Sequence, residues 1–396
     1  MPYIRREIEK QVLKAAKFFP ALVLTGPRRS GKTWLLRHLF PKAEFQLFED
    51  PDIVSRFRAD PHGFLDALRT PAILDEVQNI PEIFNYVRAR IDREPRRAGR
   101  WFLTGSQEAP LMRRVTESMA GRAALLQLLP LSVRESSKVG WLNGGYPEVI
   151  TAPKYVREWF SSYLQTYLER DVRAVTAVRD LAVFRRFLAL LATRTGQVLN
   201  RADLASSLGV TIPTISNWLD VLEITQQVFF VPPYFENLGK RLIKSPKVYF
   251  ADNGLACHLL GVETEEELER STYLGPLFEG FVAGEIVKAQ VNSGRRRELY
   301  YFRDQRGLEV DFLVPGKSGR ARLIEVKATR TPLPSMAESM RKLREALAAR
   351  RPHPVQAECL LVHWQPIVPH RTTALSPGIQ AMDWNEFVRE PLGRGV

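Results

Sequence analysis

Residues 21–39 read ALVLTGPRRSGKTWLLRHL. A short apolar run passes into a glycine-rich turn and then into helical apolar spacing. Gly26 and Gly31-Lys32-Thr33 match GxxxxGK[ST] in the strand–loop–helix setting that gives the motif physical meaning. Glycines let backbone N–H groups turn toward phosphates, and a helix starting near Lys32 adds its positive end. Lys32 is then expected at the β/γ-phosphates, with the Thr33 hydroxyl as a ligand for Mg²⁺. The loop residues Gly26, Pro27, Arg28, Arg29, Ser30, Gly31, Lys32, Thr33 and Trp34 are the expected lining of an ATP site.

Two further apolar runs supply the rest of such a site. In PAILDEVQNIP (residues 71–81) a buried parallel strand is expected to end in Asp75-Glu76. Asp75 would hold Mg²⁺ through water, and Glu76 would polarise the attacking water. The competing reading is an acid pair capping the next helix. RWFLTGSQ (residues 100–107) reads as a third buried strand. Thr104 or Ser106 at its end would contact the γ-phosphate or the attacking water, or else cap the following helix.

This trio resembles the AAA-type and related P-loop ATPases. SMAGRAALLQLLPLSVRE (residues 118–135) and GGYPEV (residues 144–149) also resemble one bacterial and archaeal family, in which an ATPase domain precedes a C-terminal region of unknown function. The resemblance covers nearly the whole chain. It implies ATP and Mg²⁺ as cofactors and makes Arg122 a candidate arginine finger or sensor; the alternative is a structural salt bridge.

Residues 136–195 are expected to form a helical lid or connector, since VREWFSSYLQTYLERDV and LAVFRRFLALLAT carry apolar residues at i, i+3, i+4 spacing. RADLASSLGVTIPTISNWLDVLE fits a helix-turn-helix, with Gly209 at the turn and Ile215 and Trp218 facing back to the core. With QQVFFVPPY as a wing, residues 196–252 read as a winged helix. Its second helix carries Asp220 and Glu223 and no Lys or Arg, so phosphate attraction would have to come from Lys240, Arg241, Lys244 and Lys247. A packing role between domains is the other reading.

Residues 253–396 order as helix, strand, strand, strand, which matches the core of the PD-(D/E)XK nuclease-like fold. Asp311, thirteen intervening residues, and Glu325-Val326-Lys327 form the motif, with Val310 where the superfamily's name has Pro. Side chains alternate along a strand, so Glu325 and Lys327 share a face. Asp311, Glu325 and Glu279 from the preceding helix would then bind a hard cation such as Mg²⁺, with Lys327 orienting a water or stabilising charge. Many relatives of this fold keep the shape and lose the reaction, so cleavage and binding without cleavage both stay open.

The whole chain is therefore expected to be α/β, with the P-loop NTPase parallel sheet in residues 1–135 followed by lid, winged helix and restriction-endonuclease-like domain. Its 396 residues suit several domains. Lys+Arg exceed Asp+Glu by 57 − 44 = 13, which favours a polyanionic partner, DNA ahead of RNA. No apolar run reaches the roughly 18–20 residues of a membrane span. MPYIRREIEK has no signal-peptide apolar core, and two cysteines without a CxxC pattern suggest neither a disulfide framework nor a Cys-based zinc site. Cytoplasmic location and a possible homo-oligomer complete the expectations.

Overall fold

The computed structural model describes residues 3–95, 97–106, 118–168, 181–234, 245–349, 354–364 and 373–390. Five strands form the first sheet: β1 (Ala21–Gly26), β2 (Glu44–Leu47), β3 (Ala72–Asp75), β4 (Trp101–Ser106) and β5 (Ala123–Gln127). Their order is β2-β3-β4-β1-β5, and every pairing is parallel. All six residues of β1 are buried because helices cover both faces. Alternate residues divide between the faces. Leu22 and Leu24 pack with Val12, Leu35 and Leu36; Ala21 and Val23 pack with Phe84, Val87 and Leu103. Parallel strands bring the ends of β1, β3 and β4 to one edge of the sheet, where the phosphate loop, Asp75 and Thr104 lie.

The middle of the chain is helical, as its spacing predicts: Val156–Tyr163, a π-helical turn Leu164–Leu168, and Leu181–Thr193. Arg201–Leu208 and Ile212–Ile224 follow, joined through Gly209 at φ 66, the left-handed value that closes the first of these helices without a Cβ penalty. Thr211 caps the second helix by accepting from the Thr214 N–H. Ile215 and Trp218 are buried, and β6 (Val228–Val231) pairs antiparallel with β7 (Lys247–Phe250).

The last third carries a mixed six-stranded sheet. Its strands are β8 (Tyr300–Arg303), β9 (Glu309–Pro315), β10 (Arg320–Lys327), β11 (Gln356–His363), β12 (Ala374–Ser376) and β13 (Ile379–Asp383), in the order β12-β13-β11-β10-β9-β8. The helix Leu274–Asn292 precedes β8 and packs on β10 and β7. One hydrophobic core runs from Leu129 to Val388 and takes in residues of the connector, the two-strand unit and this sheet. The expected divisions at 195/196 and 252/253 thus share packing rather than separate cores.

The first sheet joins this core through residues 128–150. The Val133 N–H donates to Glu285 Oε2 at 2.9 Å, Lys288 Nζ donates to the Leu131 carbonyl at 3.1 Å, and the Gly145 N–H donates to Asp252 Oδ2 at 2.7 Å. The chains approach so closely that a Cβ on Gly145 would lie 2.1 Å from the Leu131 carbonyl oxygen.

Candidate functional site

The cleft at the C-terminal edge of the parallel sheet has a volume of about 400 Å³, and its walls include Arg28, Arg29, Lys32, Trp34, Asp75 and Glu76. Gly26 is required where the loop leaves β1: a Cβ there would stand 2.2 Å from the Leu128 carbonyl oxygen. Gly31 holds φ 93 immediately before the helix Lys32–Leu39. Lys32 is buried and donates to the carbonyls of Gly26 at 3.1 Å and Pro27 at 2.9 Å, so its ammonium lies inside the loop that would hold phosphates.

Thr33 Oγ1 donates to Asp75, 2.9 Å from Oδ2 and 3.1 Å from Oδ1. Thr104 donates to the same carboxylate from β4. Burial pushes the Asp75 carboxyl up, hydrogen bonds from Thr104 and Thr33 pull it back, and the Glu76 charge adds to the rise. A buried carboxylate beside a threonine hydroxyl is the protein's half of a hard-cation site, whose other ligands are phosphate and water oxygens. These residues fit Mg²⁺ bound with a nucleotide. The Ser30 hydroxyl is buried in the loop and has no hydrogen-bond partner among the described residues.

Glu76 sits at φ 56, an uncommon value for a residue with a side chain. Gln78 donates to its Oε2, and Arg28 Nη1 lies 3.9 Å from the same oxygen. Thr104 faces Asp75 rather than open space. Ser106 ends β4 in register with Gly26.

A second polar cluster lies in the C-terminal sheet. Phe312 pairs with Ile324, which sets Asp311 beside Glu325 and Val326; the Val326 N–H donates to Asp311 Oδ2 at 2.8 Å. Lys327 Nζ lies 2.7 Å from Glu325 Oε1 and 3.8 Å from Asp311 Oδ2. Burial, then the Asp311 charge, pushes the Glu325 carboxyl up to about 8 against the pull of Lys327. Its Oε2 is buried and has no hydrogen-bond partner among the described residues.

Glu279 reaches the same cluster but is engaged elsewhere. Lys247 Nζ lies 3.0 Å from Glu279 Oε1 and 2.8 Å from Glu309 Oε1, and Tyr249 donates to Glu279 Oε1. Burial works against the Lys247 charge, but Glu279, Asp311 and Glu309 raise the ammonium's pKa, so it stays protonated. Among the described residues no three acid, histidine or cysteine side chains gather as a metal set. Glu279 also lies in the field of Asp311: burial and the Asp311 charge push its carboxyl up to about 7 against the pull of the Lys247 ammonium from β7. Lys247, expected among the basic contacts to nucleic acid, is 3% exposed and belongs to this network. Lys240, Arg241 and Lys244 lie outside the described residues.

Comparison with known proteins places these features. The family described as "AAA domain" matches residues 19–137; two domains of unknown function, DUF8612 and DUF4143, match residues 134–266 and 274–364. Uncharacterized proteins of Mycobacterium tuberculosis and Mycobacterium bovis are each 36% identical over 344 residues, covering 85% of this chain and 76% of theirs. The chain belongs to their family.

An uncharacterized protein of Haemophilus influenzae is 24% identical across 60% of this chain and 69% of its own. Among solved structures, the Walker-type ATPase PABY2304 of Pyrococcus abyssi aligns over 65% of this chain and 98% of that one, with a TM-score of 0.42 and 16% identity.

Within the family's AAA domain, Arg122 does not stand at the cleft. It immediately precedes β5, and its carbonyl accepts from the Ala21 N–H at the start of β1. The phosphate loop follows the far end of that strand, about 17 Å away at 3.3 Å per residue. Its guanidinium pairs with Asp92, as in the salt-bridge reading.

Two contributors to the sites carried no local signal. Pro147 and Glu148 line the cleft although they lie 20 residues or more beyond β5. Their segment stood out in the sequence only as the repeated-glycine stretch GGYPEV. Lys247 meets Glu279 across 32 residues, and only the β6–β7 pairing brings it there.

Proposed function

We propose that this protein is a Mg²⁺-dependent ATPase whose nucleotide state is coupled to a nucleic-acid-facing C-terminal half. The observation that carries the ATPase reading is the meeting of Thr33, Asp75 and Glu76 at the mouth of the phosphate loop. When bound, the metal would neutralise phosphate charge. Lys32 would hold the phosphates, Thr33 and, through water, Asp75 would hold the metal, and Glu76 would take up the proton of the attacking water. Trp34 and Pro147 offer apolar surface beside the loop, suited to the nucleoside.

The helix pair Arg201–Leu208 and Ile212–Ile224 with the β6–β7 hairpin supports the winged-helix reading. The order helix, β8, β9, β10, helix, β11 supports the nuclease-like reading of the last sheet. With Glu279 held by Lys247, that sheet is read as a binding module with internally compensated charge, and no cleavage step is assigned to it. The net charge of +13 supports a polyanionic partner, DNA first.

Two assays test this. ATP hydrolysis is measured with and without DNA; absence of turnover in both would overturn the ATPase reading. Single-stranded, duplex and branched DNA are incubated with Mg²⁺ or Mn²⁺ and the wild type or Asp311→Ala. Binding without cleavage is expected, and cleavage lost in the variant would make the C-terminal acids a working metal site instead.

A further inference from the structure

Beside Pro147 in the stretch GGYPEV, Glu148 has no role in the chemistry above, yet it lines the nucleotide cleft. Arg29 Nη1 lies 2.9 Å from Glu148 Oε1, and Trp159 Nε1–H donates to Glu148 Oε2 at 2.7 Å. One carboxylate therefore joins the phosphate loop to the helix Val156–Tyr163, where Trp159 stacks on Tyr163.

Arg29 itself is unusual. It holds φ 64 at the crest of the loop, a left-handed conformation that a side-chain-bearing residue adopts at a cost and glycine adopts freely. A long cationic side chain kept at such a position suggests that the chain uses the charge. Among the described residues three cations line the cleft, Arg28, Arg29 and Lys32, against four acids, Glu49, Asp75, Glu76 and Glu148. Arg29 is the most open of the three cations: its side chain is 49% exposed, whereas Arg28 is 8% and Lys32 5% exposed. It is the cation best able to turn from a carboxylate to a phosphate.

We propose that Glu148 and the phosphates of a bound nucleotide compete for Arg29. Without nucleotide, Arg29 is paired with Glu148. With Mg²⁺ and a nucleoside di- or triphosphate in the loop, Arg29 swings to the phosphates, and Glu148 is left with Trp159 alone. Glu148 is thus a positioning residue: it holds affinity down and makes the segment after the AAA domain responsive to occupancy. This inference rests on the ATP reading above.

A double-mutant cycle on the full chain tests it, with ADP and Mg²⁺ as titrant at low salt. Glu148→Gln keeps an acceptor for the Trp159 N–H and loses the charge. Arg29→Gly suits the loop conformation and removes the guanidinium. Glu148→Gln is expected to tighten binding by about twofold to fivefold, the range of a part-exposed ion pair, and the gain shrinks as salt is added. In the Arg29→Gly background the same change leaves affinity within about 1.5-fold. Equal tightening in both backgrounds would mean a general field effect and would overturn the competition. Weaker binding in Glu148→Gln would mean that Glu148 touches the nucleotide, which also overturns it. Absence of binding by the wild type with either ADP or ATP would overturn the ATP reading and this inference with it. A wild type that binds but shows no coupling removes only the Glu148 step.

Discussion

Glu76 illustrates what a residue's place in a turn does for chemistry. It follows a buried strand that ends in Asp75, and its left-handed backbone swings the side chain into the cleft rather than onward along the sheet. Glu76→Gln is therefore expected to keep nucleotide affinity while turnover falls by on the order of 10²–10⁴. A single-turnover measurement alongside a binding titration separates the two. Lys32→Ala acts on the other side of the same balance. It removes the charge-assisted contact that anchors the phosphates, so affinity falls first, and a titration with ADP reads the loss.

The acid cluster of the last sheet adds a pH signature at the same scale. The Glu325 carboxyl is raised to about 8 by burial and by Asp311, with Lys327 opposing and Glu279 adding a further push. In the unfolded chain it titrates near 4.5, so between these values the folded state holds a proton that the unfolded state has released. Stability accordingly falls as pH rises from about 5 through 8. Melting curves across that range should drop by several degrees for wild type, and Glu325→Gln should flatten part of the slope. A parallel pair of slopes would remove Glu325 as the source.

At the scale of elements, legibility followed locality. The phosphate loop, Asp75 at the end of β3 and the turn at Gly209 are each fixed by residues within a few positions of one another, and each stands where the spacing predicts. Periodicity also put Glu325 and Lys327 on one face of their strand, where the two side chains pair. It had no means of showing Lys247, because a lysine in KSPKVYF reads as solvent-facing until β6 pairs with β7 and carries it against Glu279 and Glu309. Arg122 is a related case. The stretch around it resembles a family motif, but which end of a parallel strand it occupies depends on the sheet's register. Arg122→Ala should leave turnover in a dilute, monomeric sample within about twofold of wild type, an effect typical of a surface substitution. A tenfold fall that appears only at concentrations where the chain self-associates would instead assign Arg122 to a neighbouring copy's site.

At the scale of the whole molecule, the question is how an event at the phosphate loop reaches a sheet made from the last third of the chain. Arg6 supplies a continuous answer. Its Nη1 donates to the Ser30 carbonyl in the loop at 2.9 Å, its Nη2 to the Leu129 carbonyl at 2.6 Å, and its Nε to Glu135 at 2.9 Å. Residues 131 and 133 of that segment are bonded in turn to Lys288 and Glu285 on the helix that carries Glu279. Glu285 and Lys288 are themselves a buried pair at 2.8 Å, and deleting one partner of such a pair costs about 3–5 kcal/mol because the other charge is left unpaired. Glu285→Ala should therefore lower stability by that order and separate the unfolding of the AAA domain from that of the C-terminal half. Calorimetry with ADP and Mg²⁺ reads this directly. In wild type the nucleotide should raise one cooperative transition, because the two halves share the joint. In Glu285→Ala it should raise the melting of the AAA domain alone and leave a second, unshifted transition. A single transition that still moves with nucleotide would mean that the joint at residues 128–135 is not what binds the halves together.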